Sequence, residues 1–259
     1  MPKRGYANTA KGQIHYLEMG DGEPVLLLHQ TPRSSDEFLE VLPLLSKKFR
    51  VIAMDTIGFG NSYKPKKPIT IEDCAEAVLD FLDAVKIKQT HLVGHHTGAV
   101  IAAEVAVSYP KRIKKLVLSG CPLINEERRR AHKSSMDADK EREDGSHLVS
   151  LWQRRRSFYP KRRPDLLTRF MADALLSGEN RIRGHDMVWE YSMEDKYSKI
   201  GQPTLLISGT EDKWSYPVMK EISRLIKNSK TLAIKGGMVP LPDHMPKEYV
   251  RALNSFLSR

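Results

Sequence analysis

The sequence predicts an α/β protein with a mostly parallel central sheet, helices on its faces and a helical lid insertion. Short, wholly apolar runs, typical of strands covered on both faces, alternate with stretches of helical periodicity. Such alternation implies right-handed βαβ units and hence a parallel sheet. Residues 122–199 instead are polar, charged and helical in pattern, with no strand-like run. We therefore predict a core formed by residues 1–121 and 200–259, with residues 122–199 as the lid.

The individual elements follow from apolar runs, periodicity and the placement of proline. Strands are predicted at residues 13–19, 25–29, 51–54, 91–93, 115–119, 204–208 and 231–234. Helices are predicted at residues 36–49, 71–85, 98–108, 217–226 and 246–257. Pro43 is expected to break or kink the first of these helices. Pro246 suits the first turn of the last one.

Composition restricts the class of protein. With 259 residues, 40% of them apolar, the chain can bury a full core. No apolar run is long enough to span a membrane, no secretory signal is evident, and two cysteines fit a reducing compartment. We expect a cytoplasmic protein without a membrane partner. The net charge of +10 is spread along the chain and no nucleic-acid motif accompanies it, so we expect no nucleic-acid partner.

One five-residue motif carries the strongest chemical signal. Gly94-His95-His96-Thr97-Gly98 stands between a predicted strand and a predicted helix. This is the G-x-Nu-x-G pattern of a nucleophile elbow, in which a tight turn strains the central residue and small neighbours make room for it. The residue at the nucleophile position is His96.

Three further segments, together with the elbow, form a recognisable series of motifs along the chain. His29-Gln30-Thr31-Pro32 follows an early strand, residues 55–62 read DTIGFGNS, and Asp212 follows a late strand. Together with the elbow, these segments resemble those of the α/β-hydrolase family over nearly the whole chain. The resemblance implies an oxyanion loop at residues 29–32, with Gln30 in place of the family's glycine, and it implies that Asp212 is the catalytic acid.

The chain departs from the family at two positions. The family's nucleophile is Ser, Asp or Cys, activated by a histidine on the loop after the last strand. Counting back from Pro246, that histidine would fall at Val239 or Met238, neither of which can take a proton. His244 lies five or six residues later. The standard triad is therefore absent.

Three hypotheses remain open. In the first, His96 and Asp212 form a dyad that activates water, with direct attack by His96 as a variant, and the backbone N–H groups of Thr31 and Thr97 stabilise the oxyanion. In the second, His96 pairs with His244. In the third, the site is inert to hydrolysis and serves a lyase or decarboxylase step or ligand binding. We favour a cofactor-independent hydrolase of a small ester, lactone or related carbonyl compound, with no metal.

Six side chains are predicted to contact the small-molecule substrate: His29, Gln30, Arg33, Trp152, Trp189 and Trp214. Alternatives are loop fixation for His29, solvent exposure for Arg33 and packing of the lid for the tryptophans. We interpret His95 as a core residue, Asp55 as an acceptor for loop N–H groups and Cys121 as a buried, inert thiol. Either a monomer or a homo-oligomer is compatible with the sequence.

Overall fold

The computed structural model describes residues 1–131 and 140–258. Within them, eight strands form one sheet in the order β1-β2-β4-β3-β5-β6-β7-β8. The pairs β1–β2 and β2–β4 are antiparallel, and all other neighbouring strands are parallel. In chain order the strands are β1 (Lys3–Asn8), β2 (Gln13–Met19), β3 (Pro24–Leu28), β4 (Arg50–Met54), β5 (Thr90–His95), β6 (Ile113–Ser119), β7 (Thr204–Gly209) and β8 (Ser229–Ile234).

Helices cover both faces of the sheet. In chain order they are α1 (Leu42–Leu45), α2 (Ile71–Ala84), α3 (Thr97–Ser108), α4 (Glu126–Ala131), α5 (Ser146–Arg156), α6 (Pro164–Leu176), α7 (Asn180–Glu190), α8 (Glu194–Tyr197), α9 (Met219–Leu225), α10 (Leu241–His244) and α11 (Pro246–Leu257). The apolar residues of α2 and α3 share one core cluster, and those of α1 and α11 share the cluster on the opposite face. No helix in the described residues is both long and apolar enough to cross a membrane.

Parallel register gathers the loops that carry the predicted motifs. Leu28 of β3 pairs with Gly94 of β5, and His95 of β5 pairs with Ser119 of β6. Because parallel strands point the same way, the loops that follow them emerge at one edge of the sheet. This is the edge where open α/β sheets place their ligand sites.

The predicted fold class is confirmed, and so are the seven predicted strands, with shifted ends. Strand β1 was missed because its sequence KRGYAN is polar and its position at the sheet edge leaves most residues exposed. The prediction of one helix at residues 36–49 is wrong. A 3₁₀ turn at Ser35–Phe38 and the short α1 stand there instead, and Pro43 lies in the first turn of α1.

Helices α4 to α8 lie between β6 and β7, inside the segment predicted as a lid. A separate small cluster of buried side chains joins α5 and α6, with Leu151, Leu166 and Phe170 among its members. The division of the chain into a core and a lid stays a prediction. The short helix α10, directly before α11, was not foreseen.

Candidate active site

His96 sits at the turn between β5 and α3 with backbone angles φ 48° and ψ −113°. Residues other than glycine rarely adopt such a positive φ, so the turn is strained. The two flanking glycines are required by close backbone approach. A Cβ at Gly94 would lie 2.1 Å from the Gly98 carbonyl oxygen, and one at Gly98 would lie 2.2 Å from that of Leu28.

His96 points towards Asp212, which follows β7. Its Nε2 lies 2.9 Å from Asp212 Oδ2, and the side chains are 15% and 2% exposed. The contact is close but imperfectly aligned, because Nε2 makes no hydrogen bond of acceptable angle with any described residue. The other ring nitrogen, Nδ1, hydrogen-bonds no described residue, and the ring, which is 15% exposed, lines a cavity. Nδ1 is therefore the nitrogen that a bound molecule can reach.

The Asp212 carboxylate is held by its own loop. Oδ2 accepts a hydrogen bond from Ser215 Oγ over 2.6 Å. Oδ1 accepts from the backbone N–H groups of Trp214 and Ser215, over 3.0 and 3.3 Å. These donors fix the direction in which the carboxylate faces His96.

Electrostatics favour a charged pair. Burial acts to lower the pKa of His96, but the Asp212 carboxylate outweighs it, and the pKa of the imidazole is raised. Burial likewise acts to raise the pKa of Asp212, but the His96 ring and the Ser215 hydroxyl hold it well below its usual range. Each partner thus stabilises the ionised form of the other.

Gly120, directly after β6, makes room for the His96 ring. Its φ is +59°, and a Cβ there would lie 2.7 Å from His96 Cδ2 and 2.8 Å from Nε2. Any other residue at this position would displace the imidazole from Asp212.

His95 is a neutral core residue, as expected. Its ring packs edge-on against that of His96, with centroids 4.8 Å apart. Nε2 lies 2.8 Å from the Val239 carbonyl oxygen and Nδ1 lies 2.9 Å from Ser119 Oγ. Because a carbonyl only accepts, the ring proton is on Nε2. Burial lowers the pKa of His95 to about 4.

The loop at residues 29–32 meets the start of α3 beside His96. Thr31 Oγ1 and Thr97 Oγ1 share a hydrogen bond of 2.9 Å. Thr97 is in the first helical turn, where backbone N–H groups have no partner within the helix. Glu37 fixes the position of Gln30. The fully buried Glu37 carboxylate accepts hydrogen bonds from the backbone N–H and from the side-chain amide of Gln30.

A cavity of about 840 Å³ opens above this loop and His96. Its walls are mainly apolar and aromatic, and include Leu123, Phe158, Tyr159, Phe170 and Val188. Cationic side chains also reach it, namely Arg128, Arg155 and Lys213. None of the described residues that line it is an aspartate or a glutamate.

Six predicted site residues line this cavity: Gln30, Thr31, His96, Thr97, Trp189 and Trp214. Three predicted substrate contacts do not. His29 fixes loops, because Nδ1 donates to the Gln30 carbonyl over 2.8 Å and Nε2 accepts from the Thr56 N–H over 2.9 Å. Trp152 packs against the cluster between α5 and α6.

Arg33 is the third correction. Its side chain is 0% exposed, so it faces neither solvent nor substrate. The guanidinium donates to Asp173 over 2.7 Å, to Asp243 over 2.8 Å and to Asp36 over 3.2 Å. Three carboxylates thus hold it inside the protein, where it joins α6 and α10 to the loop after β3.

Asp55 accepts hydrogen bonds from loop N–H groups and Cys121 is buried, as expected. Asp55 accepts from the backbone N–H groups of Ser35 and Asn61, over 2.6 and 2.9 Å. Cys121 is buried 3.0 Å from the Tyr197 hydroxyl, and burial raises the pKa of its thiol to about 12. His244 is not among the described residues that line the cavity, whereas Asp212 stands beside His96.

Sequence reasoning missed Glu37, Gly120 and His185 as parts of this region. Gly120 carried a signal, because it directly follows a predicted strand at the edge where the site lies. Arg155 lies inside the basic run at residues 154–163, for which the sequence leaves open a solvated surface or a patch that binds an anion or a partner.

The chain belongs to the α/β-hydrolase fold family, whose model matches residues 23–237. The enol-lactonase from Burkholderia xenovorans LB400 superposes with a TM-score of 0.87 over 98% of this chain and 100% of that one, at 20% identity. At that identity the likeness speaks for the fold alone.

Curated relatives match part of the chain. A 2-hydroxy-6-oxo-6-(2'-aminophenyl)hexa-2,4-dienoic acid hydrolase of Metapseudomonas resinovorans is 30% identical over 148 residues, which cover 56% of this chain and 51% of the relative. Haloalkane dehalogenase 2 of Mycobacterium tuberculosis is 31% identical over 112 residues, 43% of this chain and 39% of the relative. The matches thus span about half or less of these relatives. By their printed names these relatives are a hydrolase and a dehalogenase.

Proposed function

We propose that this protein is a cofactor-independent hydrolase of a small ester, lactone or related carbonyl compound, in which His96 and Asp212 do the work of the missing triad. The observation that carries the proposal is the 2.9 Å approach of His96 Nε2 to Asp212 Oδ2 at the wall of the cavity. A buried pair with mutually perturbed pKa values in a cleft is typical of catalytic groups.

The roles of the ring nitrogens follow from the geometry. Asp212 holds a proton on Nε2, which leaves the Nδ1 lone pair facing the cavity. There Nδ1 takes a proton from water while the water oxygen attacks the substrate carbonyl carbon. The imidazolium formed is stabilised by Asp212 and returns its proton to the departing alkoxide. The products are a carboxylic acid and an alcohol, joined in one hydroxy acid when the substrate is a lactone.

The backbone N–H groups of Thr31 and Thr97 are the donors proposed for the oxyanion. Removing one such donor commonly lowers kcat by about 10²–10³-fold in enzymes that use them. The hydrogen bond between the two threonine hydroxyls supports this role, because it holds the loop at residues 29–32 at a fixed distance from the start of α3.

The test is hydrolysis of short-chain aryl esters and lactones by the purified protein and three variants. His96→Ala and Asp212→Asn are expected to lower kcat by about 10²–10⁴-fold, the usual contribution of a positioned acid–base group. His244→Ala is the matched control and is expected to keep full activity. Unfolding curves of the variants verify that they are folded. Activity that survives both His96→Ala and Asp212→Asn would sink the mechanism.

Product analysis separates hydrolysis from its alternatives. In H₂¹⁸O, the mechanism places one labelled oxygen in the new carboxylate. A lyase or decarboxylase step would leave the product unlabelled. Direct attack by Nδ1 would give an acyl-imidazole, visible after acid quench as a mass increase on the peptide that contains His96.

A further inference from the structure

The cavity beside His96 contains a cation that has no counter-ion among the described residues. Arg155, at the end of α5, lines the cavity and is only partly exposed. Within the described residues, no carboxylate lies within ion-pair distance of its guanidinium. Burial lowers the pKa of Arg155 and Arg154 adds to this effect, while only the Tyr159 hydroxyl, and no carboxylate, acts to raise it.

Two side chains orient this guanidinium without neutralising it. Nη2 lies 3.0 Å from His185 Nε2, and since arginine has no acceptor, the imidazole nitrogen accepts. His185 is therefore unprotonated at Nε2 and adds no negative charge. The Arg155 Cζ lies 5.3 Å from the centroid of the Phe170 ring, a cation–π contact. The remaining N–H groups of Arg155 have no hydrogen-bond partner in the part of the chain that the structure describes.

Arg33 shows what a purely structural buried arginine looks like in this same protein. Three carboxylates, Asp36, Asp173 and Asp243, satisfy its fork. Arg155 has no such set among the described residues, although most of its surface is removed from water and it stands in a mainly apolar wall. An uncompensated buried charge is costly, and an anion from outside the protein would supply the missing compensation.

We propose that Arg155 is a specificity residue that binds a carboxylate of the substrate, so the substrate is an ester or lactone with an apolar body and a separate carboxylate. The planar fork of arginine matches a carboxylate with two parallel hydrogen bonds. The cavity offers apolar walls for the body and, among its described lining residues, no acid that would repel the anion. This inference rests on the proposed hydrolase function for the reacting group, but the binding of the carboxylate is measurable without turnover.

The binding test compares 4-phenylbutyrate with 4-phenylbutyramide, two ligands of the same shape that differ in charge. Affinity is measured by calorimetry with the wild-type protein, Arg155→Gln, Arg155→Lys and the control Arg156→Gln. Arg156 is exposed and belongs to the same helix, and its replacement by glutamine removes the same charge. The wild-type protein and Arg156→Gln are expected to bind the acid about 10- to 100-fold more tightly than the amide, the usual effect of hydrogen bonds to a charged group.

The preference for the acid is expected to disappear in Arg155→Gln and to fall partway in Arg155→Lys, which keeps the charge but not the fork. The variant His96→Ala is expected to keep the preference, because it removes the reacting group and not the anion site. Acid bound no more tightly than amide by the wild-type protein, or a preference that survives Arg155→Gln, overturns the inference. If the wild-type protein prefers the acid to the amide but hydrolyses no ester or lactone, the proposed function alone is overturned.

Discussion

Arg33 Nη1 donates a hydrogen bond of 2.8 Å to Asp243 Oδ2, and neither side chain has any exposure to solvent. Arg33 lies two residues after Thr31, and Asp243 belongs to α10. The same guanidinium reaches Asp173 of α6. A single buried cation therefore joins the proposed oxyanion loop to a helix of the predicted lid and to the segment after β8.

Removing this cation should destabilise the whole protein. Arg33→Ala is expected to lower the free energy of unfolding by about 3–5 kcal/mol, because it leaves buried carboxylates without compensation. Urea unfolding followed by fluorescence measures the loss. Arg156→Ala, at an exposed position, is the control and should change stability by no more than about 0.5 kcal/mol. Equal stability of the two variants would contradict the structural role of Arg33.

The glycine beside His96 provides a second prediction. Gly120→Ala should abolish most activity, since its Cβ would press on the imidazole, and displacement of a reacting group by about 1 Å can cost about 100-fold in rate. Gly178→Ala is the matched control: its φ is +56°, and no atom lies within 4 Å of the added Cβ. Both variants should lose about 1–2 kcal/mol of stability from the left-handed backbone. Only Gly120→Ala should lose activity, and comparable loss in both would contradict the steric reason.

The pH dependence of kcat/KM tests whether Asp212 raises the pKa of His96. As a general base, His96 acts when unprotonated, so kcat/KM should rise with pH through the pKa of the pair, above the ordinary histidine value. Asp212→Asn removes the charge that raises this pKa and leaves burial, which lowers it. The midpoint of the acid limb should therefore move to lower pH, while the plateau falls. A midpoint unchanged by Asp212→Asn would disprove the electrostatic coupling.

Because His95 is buried and neutral, we expect the free energy of unfolding to fall in acid. Its folded pKa of about 4 lies below the unfolded value of 6.5, so the unfolded chain binds a proton first as the pH falls. Its contribution is fully present above pH 6.5 and is lost as the pH falls towards 4, by about 3 kcal/mol in total. Between pH 6.5 and pH 4, the unfolding free energy of His95→Gln should fall less steeply with decreasing pH. The difference in slope should correspond to at most one bound proton. Unfolding curves from pH 7 to pH 4 measure the slope, and equal slopes in both proteins would refute the assignment.

Much of the fold follows from the sequence because buried parallel strands are short apolar runs that are easily recognised. The elbow was found because its tight turn demands a glycine pattern, and Asp212 was found because the resemblance to the family implies an acid after this late strand. The surroundings of Arg33 and Arg155 could not be predicted. Whether an arginine faces three aspartates or an open cavity depends on contacts between segments far apart in the chain, such as Arg33 with Asp173 and Asp243.

The pairing of His96 with Gly120 constrains how such a site can arise or revert. A serine hydroxyl at the turn would be too short to reach Asp212, and the ring-sized space beside Gly120 would stay empty. Restoring a serine mechanism would also need an imidazole in the loop where Met238 and Val239 stand, while His95 already bonds the Val239 carbonyl. Under the proposed mechanism, a single substitution towards the serine arrangement therefore gives an inactive protein. An exchange between the two chemistries on this scaffold would then need coordinated changes in three loops.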